Sequence, residues 1–217
     1  MILKAEMVAR ILKRDRKSGT DDPLLITPLT SDIEGEAGGA ASIDLRLGTW
    51  FLTFREARMP SFNVNESEDS TSKDSRQLQF TQIRYVPYAG QYFLHPKSFA
   101  LGITLEWLRI PRYLAGYVIG KSSWGRRGLV IATAAGVHPG FSGCLTLELY
   151  NVGLVPIEIR PGMPICQLFL HTAKGVPCSH KVDTTQFQAQ RKPMPSKIAP
   201  DEFVKALQRA YGPEAYH

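Results

Sequence analysis

The segment GKSSWGRRG, near the middle of the chain, concentrates residue types that can bind phosphate. Glycine permits close backbone approach, and successive backbone N–H groups in a tight turn can form a nest for an anion. The segment is therefore predicted to hold a polyphosphate, although its spacing is not that of the Walker motif. The alternative is a solvated basic hairpin turn. The candidate donors are Lys121, Ser122, Ser123, Arg126 and Arg127.

A second candidate is a glutamate within the alternating segment CLTLELYN. A strand places Leu145, Leu147 and Leu149 on one face and Glu148 on the other. A carboxylate in a partly dry cleft can have a raised pKa and act as general acid and base. Glu148 is thus a candidate proton shuttle, and the alternative is an ordinary glutamate that faces solvent.

A third candidate lies close to the C-terminus, in the segment FQAQRKPMPSK, which includes Gln190. Its amides and cations, with two prolines and few apolar residues, suit a segment that closes over a ligand and is mobile without it. They suit a disordered tail equally well.

Zinc chemistry does not fit the pattern. A zinc-dependent nucleobase deaminase carries a His-x-Glu and a Pro-Cys-x-x-Cys. Here Pro177-Cys178 lacks a second cysteine three residues later, and no histidine stands two residues before a glutamate. We therefore expect no metal ligands among the side chains, and the three cysteines indicate no disulfide framework.

The charge of the chain favours anionic partners. The formal net charge is +6, which suits nucleotides, nucleic acid or phosphates without choosing among them. The cations are not interleaved with aromatic residues in a recognisable module, so no nucleic-acid partner is expected. No apolar run is long enough to span a bilayer and the N-terminus lacks a signal peptide, so we expect no membrane association and a cytoplasmic location.

The elements that must position these residues are mostly strands. Helical spacing predicts an amphipathic helix over 1–13, and a second helix over 201–211 is stopped by Gly212-Pro213. Residues 63–76 are polar and predicted to form a mobile loop. Short strands separated by glycine and proline favour a sandwich, jelly roll or barrel and exclude a Rossmann or P-loop fold. The predicted strands are 24–26, 43–47, 50–54, 82–86, 91–94, 100–107, 115–119, 129–133, 144–151, 155–159 and 165–171.

Six segments in this order resemble the dCTP deaminase branch of the dUTPase-like superfamily. They are ASIDLRLG, YFLHPKSFALGITLEWLRIP, GKSSWGRRGL, HPGFSGCLTLELYN, PIEIRPGMPICQL and the late QFQAQ with PS, and they run from about Ala41 to Ile198. The resemblance implies a mainly β, dUTPase-like barrel or jelly-roll subunit with short terminal helices. We expect one domain over 1–217, with an N-terminal helix and loop to 40, a β core over 41–173 and a closing segment with helix over 174–217.

The resemblance also implies a homotrimer whose active sites lie between subunits. Enzymes of this branch hydrolyse the 4-amino group of dCTP to give dUTP and ammonia without zinc, and some relatives continue to dUMP. The substrate is then a deoxynucleoside triphosphate, and Mg²⁺ is expected to arrive bound to its phosphates.

By the same resemblance, Glu148 is the catalytic glutamate, and Ser122 and Arg126 position the water and the glutamate. Lys121 falls at a phosphate contact that is usually arginine, Phe141 at the aromatic residue after Pro-Gly, and Gln190 at a glutamine of the closing segment. The small residues of IATAAG leave room for a base against the backbone. The full set of expected substrate-binding residues is Lys121, Ser123, Thr133, Ala134, His138, Phe141, Gln167 and Gln190.

The chain departs from the family pattern in three places. His138 stands where the family usually has an aspartate that recognises the deoxyribose, and the segment between Gly128-Leu129 and Pro139-Gly140 is one residue shorter than usual. Gln186 replaces a common lysine of the closing segment. Two alternatives therefore stand beside dCTP deamination: a diphosphatase acting on dUTP or dCTP, and a non-catalytic nucleotide-binding trimer.

Overall fold

The computed structural model of the chain describes residues 1–29, 40–55, 81–132, 136–175 and 189–194. These residues form twelve strands and two helices, so the predicted mainly β fold is confirmed. The helices are α1 (Ala5–Ser18) and α2 (Ser122–Gly125). The strands are β1 (Leu25–Thr27), β2 (Ile43–Arg46), β3 (Trp50–Phe54), β4 (Thr81–Tyr85), β5 (Tyr92–Leu94), β6 (Phe99–Arg109), β7 (Leu114–Gly120), β8 (Leu129–Ile131), β9 (Gly136–Val137), β10 (Ser142–Asn151), β11 (Ile157–Ile159) and β12 (Pro164–Thr172).

The strands form two main sheets and one small one. The first sheet has the order β4-β3-β6-β10-β8, with β1 also paired to β6. The second has the order β2-β12-β7-β9, and β5 pairs with β11 separately. The pairs β6–β10, β2–β12 and β7–β12 are antiparallel, as expected for sheets with one buried face and alternating sequences.

The chain divides into two compact units. Met1–Thr53 and Ile83–Met194 form the first unit, which contains the predicted site residues. Phe54–Gln82 and Pro195–His217 form the second, and of these only 54, 55, 81 and 82 are described. The predicted loop at 63–76 and the predicted helix at 201–211 lie outside the described residues. The division into a single domain of three parts stays a prediction.

The core of the first unit comes from the inner faces of both sheets. The alternating segment SIDLRLG buries Ile43, Leu45 and Leu47 as its pattern predicts. Leu147 and Leu149 of β10 are also fully buried, and Leu168 of β12 joins the same cluster. This apolar cluster fixes which face of β2, β10 and β12 points away from the core, and therefore where their polar residues lie.

The N-terminal helix is displaced from its predicted position. It covers Ala5–Ser18 rather than 1–13, and it ends at Gly19, whose positive φ of 61° suits a helix C-cap. The first residues pair with β12 instead, since the Leu3 N–H donates to the Leu170 carbonyl at 2.8 Å. None of the described helices is long and apolar enough to cross a membrane.

The leucine alternation in β10 holds only in part. The register against β6 shifts between Cys144 and Thr146, where a β-bulge interrupts the pairing. Leu145 is consequently half-buried, while Leu147 and Leu149 keep the predicted inward direction. A bulge moves neighbouring side chains out of simple alternation, which a period-two pattern does not show.

Candidate active site

The phosphate-binding candidate forms one helical turn, not the tight hairpin turn considered from the sequence. In α2 the Gly125 N–H donates to the Lys121 carbonyl at 3.2 Å and the Arg126 N–H donates to the Ser122 carbonyl at 3.0 Å. The Trp124 indole N–H donates to the Pro164 carbonyl at 2.8 Å, which ties the turn to β12. The turn thus stands as a fixed projection after β7.

The side chains that leave this turn point to solvent. Ser122, Ser123, Arg126 and Arg127 are exposed, and the Arg127 guanidinium lies 5.6 Å from the centre of the Trp124 ring. Exposed hydroxyls and guanidinium groups on a rigid turn can reach the oxygens of an anion without first breaking an ion pair. Among the described contacts, none of these four residues takes part in a salt bridge.

Lys121 is placed differently, because it is paired with a carboxylate of β2. Its ammonium donates to Asp44 Oδ2, and Gln167 Nε2 donates to Asp44 Oδ1 at 3.2 Å and to Ser42 Oγ at 3.1 Å. We call Ser42, Asp44, Lys121 and Gln167 the Asp44 cluster. It brings two predicted substrate-binding residues, Lys121 and Gln167, to one place.

Glu148 lies on the outward face of β10, opposite Leu101 of β6. Its side chain is half-buried, and this burial raises the pKa of its carboxyl. No hydrogen bond or ion pair joins it to a described side chain. The Ala132 N–H donates to its carbonyl at 2.9 Å, so the backbone of Ala132, directly after β8, lies beside that of Glu148.

Within one chain the basic turn and the glutamate belong to different ends of the β8–β10 pair. The turn leads into Gly128, whose carbonyl accepts from the Val152 N–H at 2.9 Å. Glu148 lies four residues before Val152, a span of roughly 13 Å at about 3.3 Å per strand residue. The described contacts include none between Glu148 and the side chains of Ser122 or Arg126.

Two further predicted contacts flank the start of β10. His138 is exposed, and its carbonyl accepts from the Phe141 N–H at 3.1 Å. Phe141 itself is 9% exposed and belongs to the hydrophobic core. Its position indicates that the ring packs inside the subunit, so its role as a substrate contact stays a prediction with packing as the simpler explanation. Thr133 and Ala134 lie outside the described residues.

The described part of the closing segment, residues 189–194, is docked on β10. The Ala189 N–H donates to the Ser142 carbonyl at 2.7 Å, and the Cys144 N–H donates to the Gln190 carbonyl at 3.0 Å. Gln190 is buried, at 7% exposure. Residues 189–194 therefore pack against β10 of the same chain, which a disordered tail would not do.

Cations of the same segment cover two tryptophans. The Arg191 guanidinium lies 5.1 Å from the Trp107 ring centre, and the Lys192 ammonium lies 4.0 Å from that of Trp50. A cavity of about 550 Å³ lies beside them, and none of the predicted catalytic residues lines it. Burial raises the pKa of Cys144, on its wall, to about 11, so this thiol is protonated at neutral pH and is no nucleophile.

The sequence reasoning missed Asp44 and Ser42 as members of the site. The alternation that predicted Ile43 and Leu45 as core residues also placed Asp44 on the opposite face, which was a usable signal. Pairing with Lys121, 77 residues away, depends on the order β2-β12-β7 and could not be read from spacing.

The described residues suit an anion better than a bare metal ion. They contain no group of three or more His, Cys, Asp or Glu side chains arranged to hold a metal. The one carboxylate in the Asp44 cluster is shared between a lysine and an amide.

Comparison with known proteins places the chain in a family. Residues 11–173 match the dCTP deaminase-like family. The chain is 33% identical over 169 residues to a protein of Methanobrevibacter smithii named "dCTP deaminase, dUMP-forming", covering 76% of this chain and 84% of that protein. It is 38% identical over 165 residues to a Haloarcula marismortui protein named "dCTP deaminase", covering 74% and 80%.

A solved structure shows a similar fold. The structure of the 2'-deoxycytidine 5'-triphosphate deaminase from Agrobacterium tumefaciens aligns with a TM-score of 0.53 at 22% identity. The alignment covers 79% of this chain and 48% of that one, so this chain spans about half of its length. The fold, the family match over three quarters of the chain and the relatives above 30% identity agree: this chain belongs to the dCTP deaminase family.

Proposed function

We propose that the protein hydrolyses dCTP to dUTP and ammonia without zinc, with Glu148 moving the protons. One observation supports this most: a carboxyl with a raised pKa on the outward face of β10, in a chain of the dCTP deaminase family. A group of this kind accepts a proton from water and returns it during the same turnover.

The proton steps balance around a single carboxylate. Glu148 takes a proton from water as the hydroxyl oxygen attacks C4 of the cytosine, and the proton passes to ring N3. The hydroxyl proton then moves to the 4-amino group, the C4–N4 bond breaks, and ammonia leaves while C4 becomes the carbonyl of uracil. Ser122 would orient the water, and Arg126 would hold the glutamate ionised and in position.

The phosphates would bind at the basic turn. Ser123 and Arg127 are exposed there together with Ser122 and Arg126, and the partly buried Lys121 directly precedes the turn. Mg²⁺ bound to the triphosphate would neutralise part of its charge. His138 would contact the sugar, and Gln167 and Gln190 would contact the nucleotide. Thr133 and Ala134 are proposed as further substrate-binding residues.

The active site is proposed to lie between subunits of a homotrimer. The separation of the basic turn from Glu148 within one chain supports this arrangement, because a second subunit could bring its own turn beside the glutamate. The exposure of Ser122 and Arg126, with no described ion-pair partner, leaves both side chains available for such an interface.

A second candidate is deamination followed by cleavage to dUMP. The relative from Methanobrevibacter smithii is named as dUMP-forming, and the one from Haloarcula marismortui is not. His138, in place of the usual aspartate, argues for deamination alone, because the imidazole lacks the carboxylate that could activate a second water.

The test is product analysis on dCTP, CTP and dUTP, with ammonia and pyrophosphate measured separately. Ammonia from dCTP without pyrophosphate supports the proposal. Ammonia with an equal amount of pyrophosphate selects the dUMP-forming reaction, and pyrophosphate from dUTP alone indicates a diphosphatase. Nucleotide binding without any product would support the alternative of a non-catalytic nucleotide-binding trimer.

A further inference from the structure

Helix α1 carries a large share of the positive charge of the chain. Its sequence AEMVARILKRDRKS contains five basic and two acidic residues, a net charge of +3, which is half of the +6 of the whole chain. Four of the cations are spaced by three and four residues, so they lie along one face of the helix, and all four are exposed. We call them the basic helix face: Arg10, Lys13, Arg14 and Lys17.

The opposite face of α1 fixes the helix on the β core. Val8, Ile11 and Asp15 are buried there. The Leu24 N–H also donates to Asp15 Oδ2 at 2.9 Å. An amphipathic helix that lies in a membrane buries its apolar face in lipid. In α1 that face is already packed inside the protein, so a ligand of the basic helix face is bound by charge and not by insertion.

Most of the charge on this face is not neutralised within the chain. Arg14 pairs with Asp15 at 2.8 Å, and its guanidinium also donates to the Tyr113 hydroxyl at 2.9 Å. In the part of the chain that the structure describes, no salt bridge involves Arg10, Lys13 or Lys17. A polyanion can therefore meet these three cations without first breaking an ion pair.

The spacing of the cations suits a ligand with a dense row of phosphates. Arg10 and Lys17 are seven residues apart, which is about 10 Å along a helix at about 1.5 Å per residue. Double-stranded nucleic acid carries one negative charge per about 1.7 Å of its axis, and thus about six over that length. The basic helix face contains only lysine and arginine, with no amide or aromatic side chain among them. It is suited to contact phosphates, which position a protein on a duplex without reading bases.

We propose that the basic helix face binds the phosphate backbone of double-stranded nucleic acid without reading its sequence. Contact with phosphates needs no base-reading module, so the lack of aromatic residues between the cations is compatible with it. The site is separate from the proposed active site, because α1 contains none of the predicted catalytic or substrate-binding residues. Deamination of dCTP and binding of the duplex can therefore succeed or fail independently.

The experiment measures binding of the full chain to a short fluorescent DNA duplex by polarisation over a range of salt concentrations. The test variant is Lys13→Gln with Lys17→Gln, which removes two charges from the solvent side of α1. We expect its affinity at about 50 mM salt to fall at least about tenfold. The slope of log affinity against log salt should fall by about two, one for each phosphate contact that is lost.

Two matched variants control for charge and for folding. Lys13→Arg with Lys17→Arg keeps both charges and should bind like the unchanged chain. Arg84→Gln with Lys97→Gln removes two exposed charges elsewhere in the first unit and should weaken binding less than about twofold. Urea unfolding midpoints equal to that of the unchanged chain show that all variants are folded.

The basic turn is a second place where a duplex could bind. The test pair is therefore repeated in a chain that carries Arg126→Gln and Arg127→Gln. The same loss of at least about tenfold is expected in that background, because the two sites are separate. If the duplex binds through the basic turn alone, the α1 variant has no effect in the unchanged chain, and the inference is wrong.

Other probes separate the possible polyanions. An RNA duplex of the same sequence and a DNA duplex of another sequence should bind within about threefold of the first, since their backbones carry the same charge. A strong preference for one DNA sequence would contradict contact through phosphates alone. Tighter binding to polyglutamate, or to vesicles that contain phosphatidylserine, would overturn nucleic acid as the ligand and assign the helix to an acidic protein or a membrane surface.

Discussion

Glu148 combines two properties that a proton shuttle needs. It is half-buried, which raises the pKa of its carboxyl, and it has no described side-chain partner that would fix its charge. A carboxyl of this kind changes protonation more easily near neutral pH than a fully solvated one, whose pKa lies at about 4.3.

Glu148→Gln should abolish proton transfer while it keeps the shape of the side chain. We expect deamination of dCTP to fall by at least about 10²-fold, since general acid–base catalysis typically contributes about 10²–10⁴-fold. Nucleotide binding should stay within roughly tenfold, because the phosphates are held elsewhere. Single-turnover rates and calorimetric binding measure the two effects separately. Glu158→Gln serves as control and should retain full activity, and near-normal turnover in Glu148→Gln would remove the glutamate from the mechanism.

The pH dependence of the reaction should report the same carboxyl. A general base must be ionised, so kcat/KM should fall as pH drops through the raised pKa of Glu148. If Arg126 lies beside the carboxylate, Arg126→Ala should raise this pKa further and move the acid limb upward by about one unit. The profile of kcat/KM between pH 4 and 8 measures the shift. An acid limb that does not move would place Arg126 away from Glu148.

For single residues, the sequence predicted the direction of a side chain on its strand better than it predicted burial or hydrogen-bond partners. The outward direction of Glu148 followed from strand alternation. The burial of Phe141 did not, because a single aromatic residue after Pro-Gly carries no periodicity. The partner of Lys121 could not be predicted, because Asp44 lies 77 residues away in the sequence. The two residues meet only because β12 pairs with both β2 and β7.

Among the elements, the basic turn depends most on one glycine. Gly128 ends the turn with φ of 88°, and a Cβ there would lie 3.0 Å from the Gly153 backbone nitrogen. A side chain would therefore be strained both by the backbone angle and by the neighbouring chain. Gly128 thus fixes where α2 stands relative to the end of β10.

Gly128→Ala should lower the free energy of unfolding by about 1–3 kcal/mol and weaken tripolyphosphate binding. Gly125→Ala is the matched control within the same turn, since a Cβ at Gly125 meets nothing within 4 Å and its φ is not positive. That change should be neutral within about 0.5 kcal/mol. Urea unfolding with calorimetric binding measures both variants, and equal behaviour of the two would contradict the role assigned to Gly128.

Most strands could be predicted because their inner residues alternate, as in β2, β7 and β12. The exceptions have identifiable physical causes. The β-bulge at Cys144 and Thr146 leaves Leu145 half-buried, and pairing of Leu3 with Leu170 keeps the first residues out of α1. Such exceptions depend on contacts between distant residues, which single-sequence periodicity does not contain.

For the whole molecule, the central expectation is a homotrimer with shared active sites. We expect a solution mass near three times 24.2 kDa by sedimentation or light scattering at micromolar concentration. A site formed by residues of two subunits is complete only in the assembly, so dilution to monomer should remove activity. A monomeric mass with full activity would contradict the shared site.

Mixed trimers test the sharing itself. Glu148→Gln and Arg126→Ala each damage one side of the proposed interface. Refolding the two impaired variants together should restore part of the activity, because some interfaces then combine an intact glutamate with an intact basic turn. Mixing two preparations of the same variant is the control. No recovery in mixed trimers would place both residues in one subunit's site.

The most direct measurement is ammonia released from dCTP by the chain after exhaustive removal of zinc, with Mg²⁺ present. The proposed function predicts one ammonia for each dUTP formed, no release without dCTP, and loss of at least about 10²-fold in Glu148→Gln. Activity that disappears on chelation and returns only with zinc would contradict the mechanism. Absence of ammonia in the presence of tightly bound dCTP would contradict the proposed reaction.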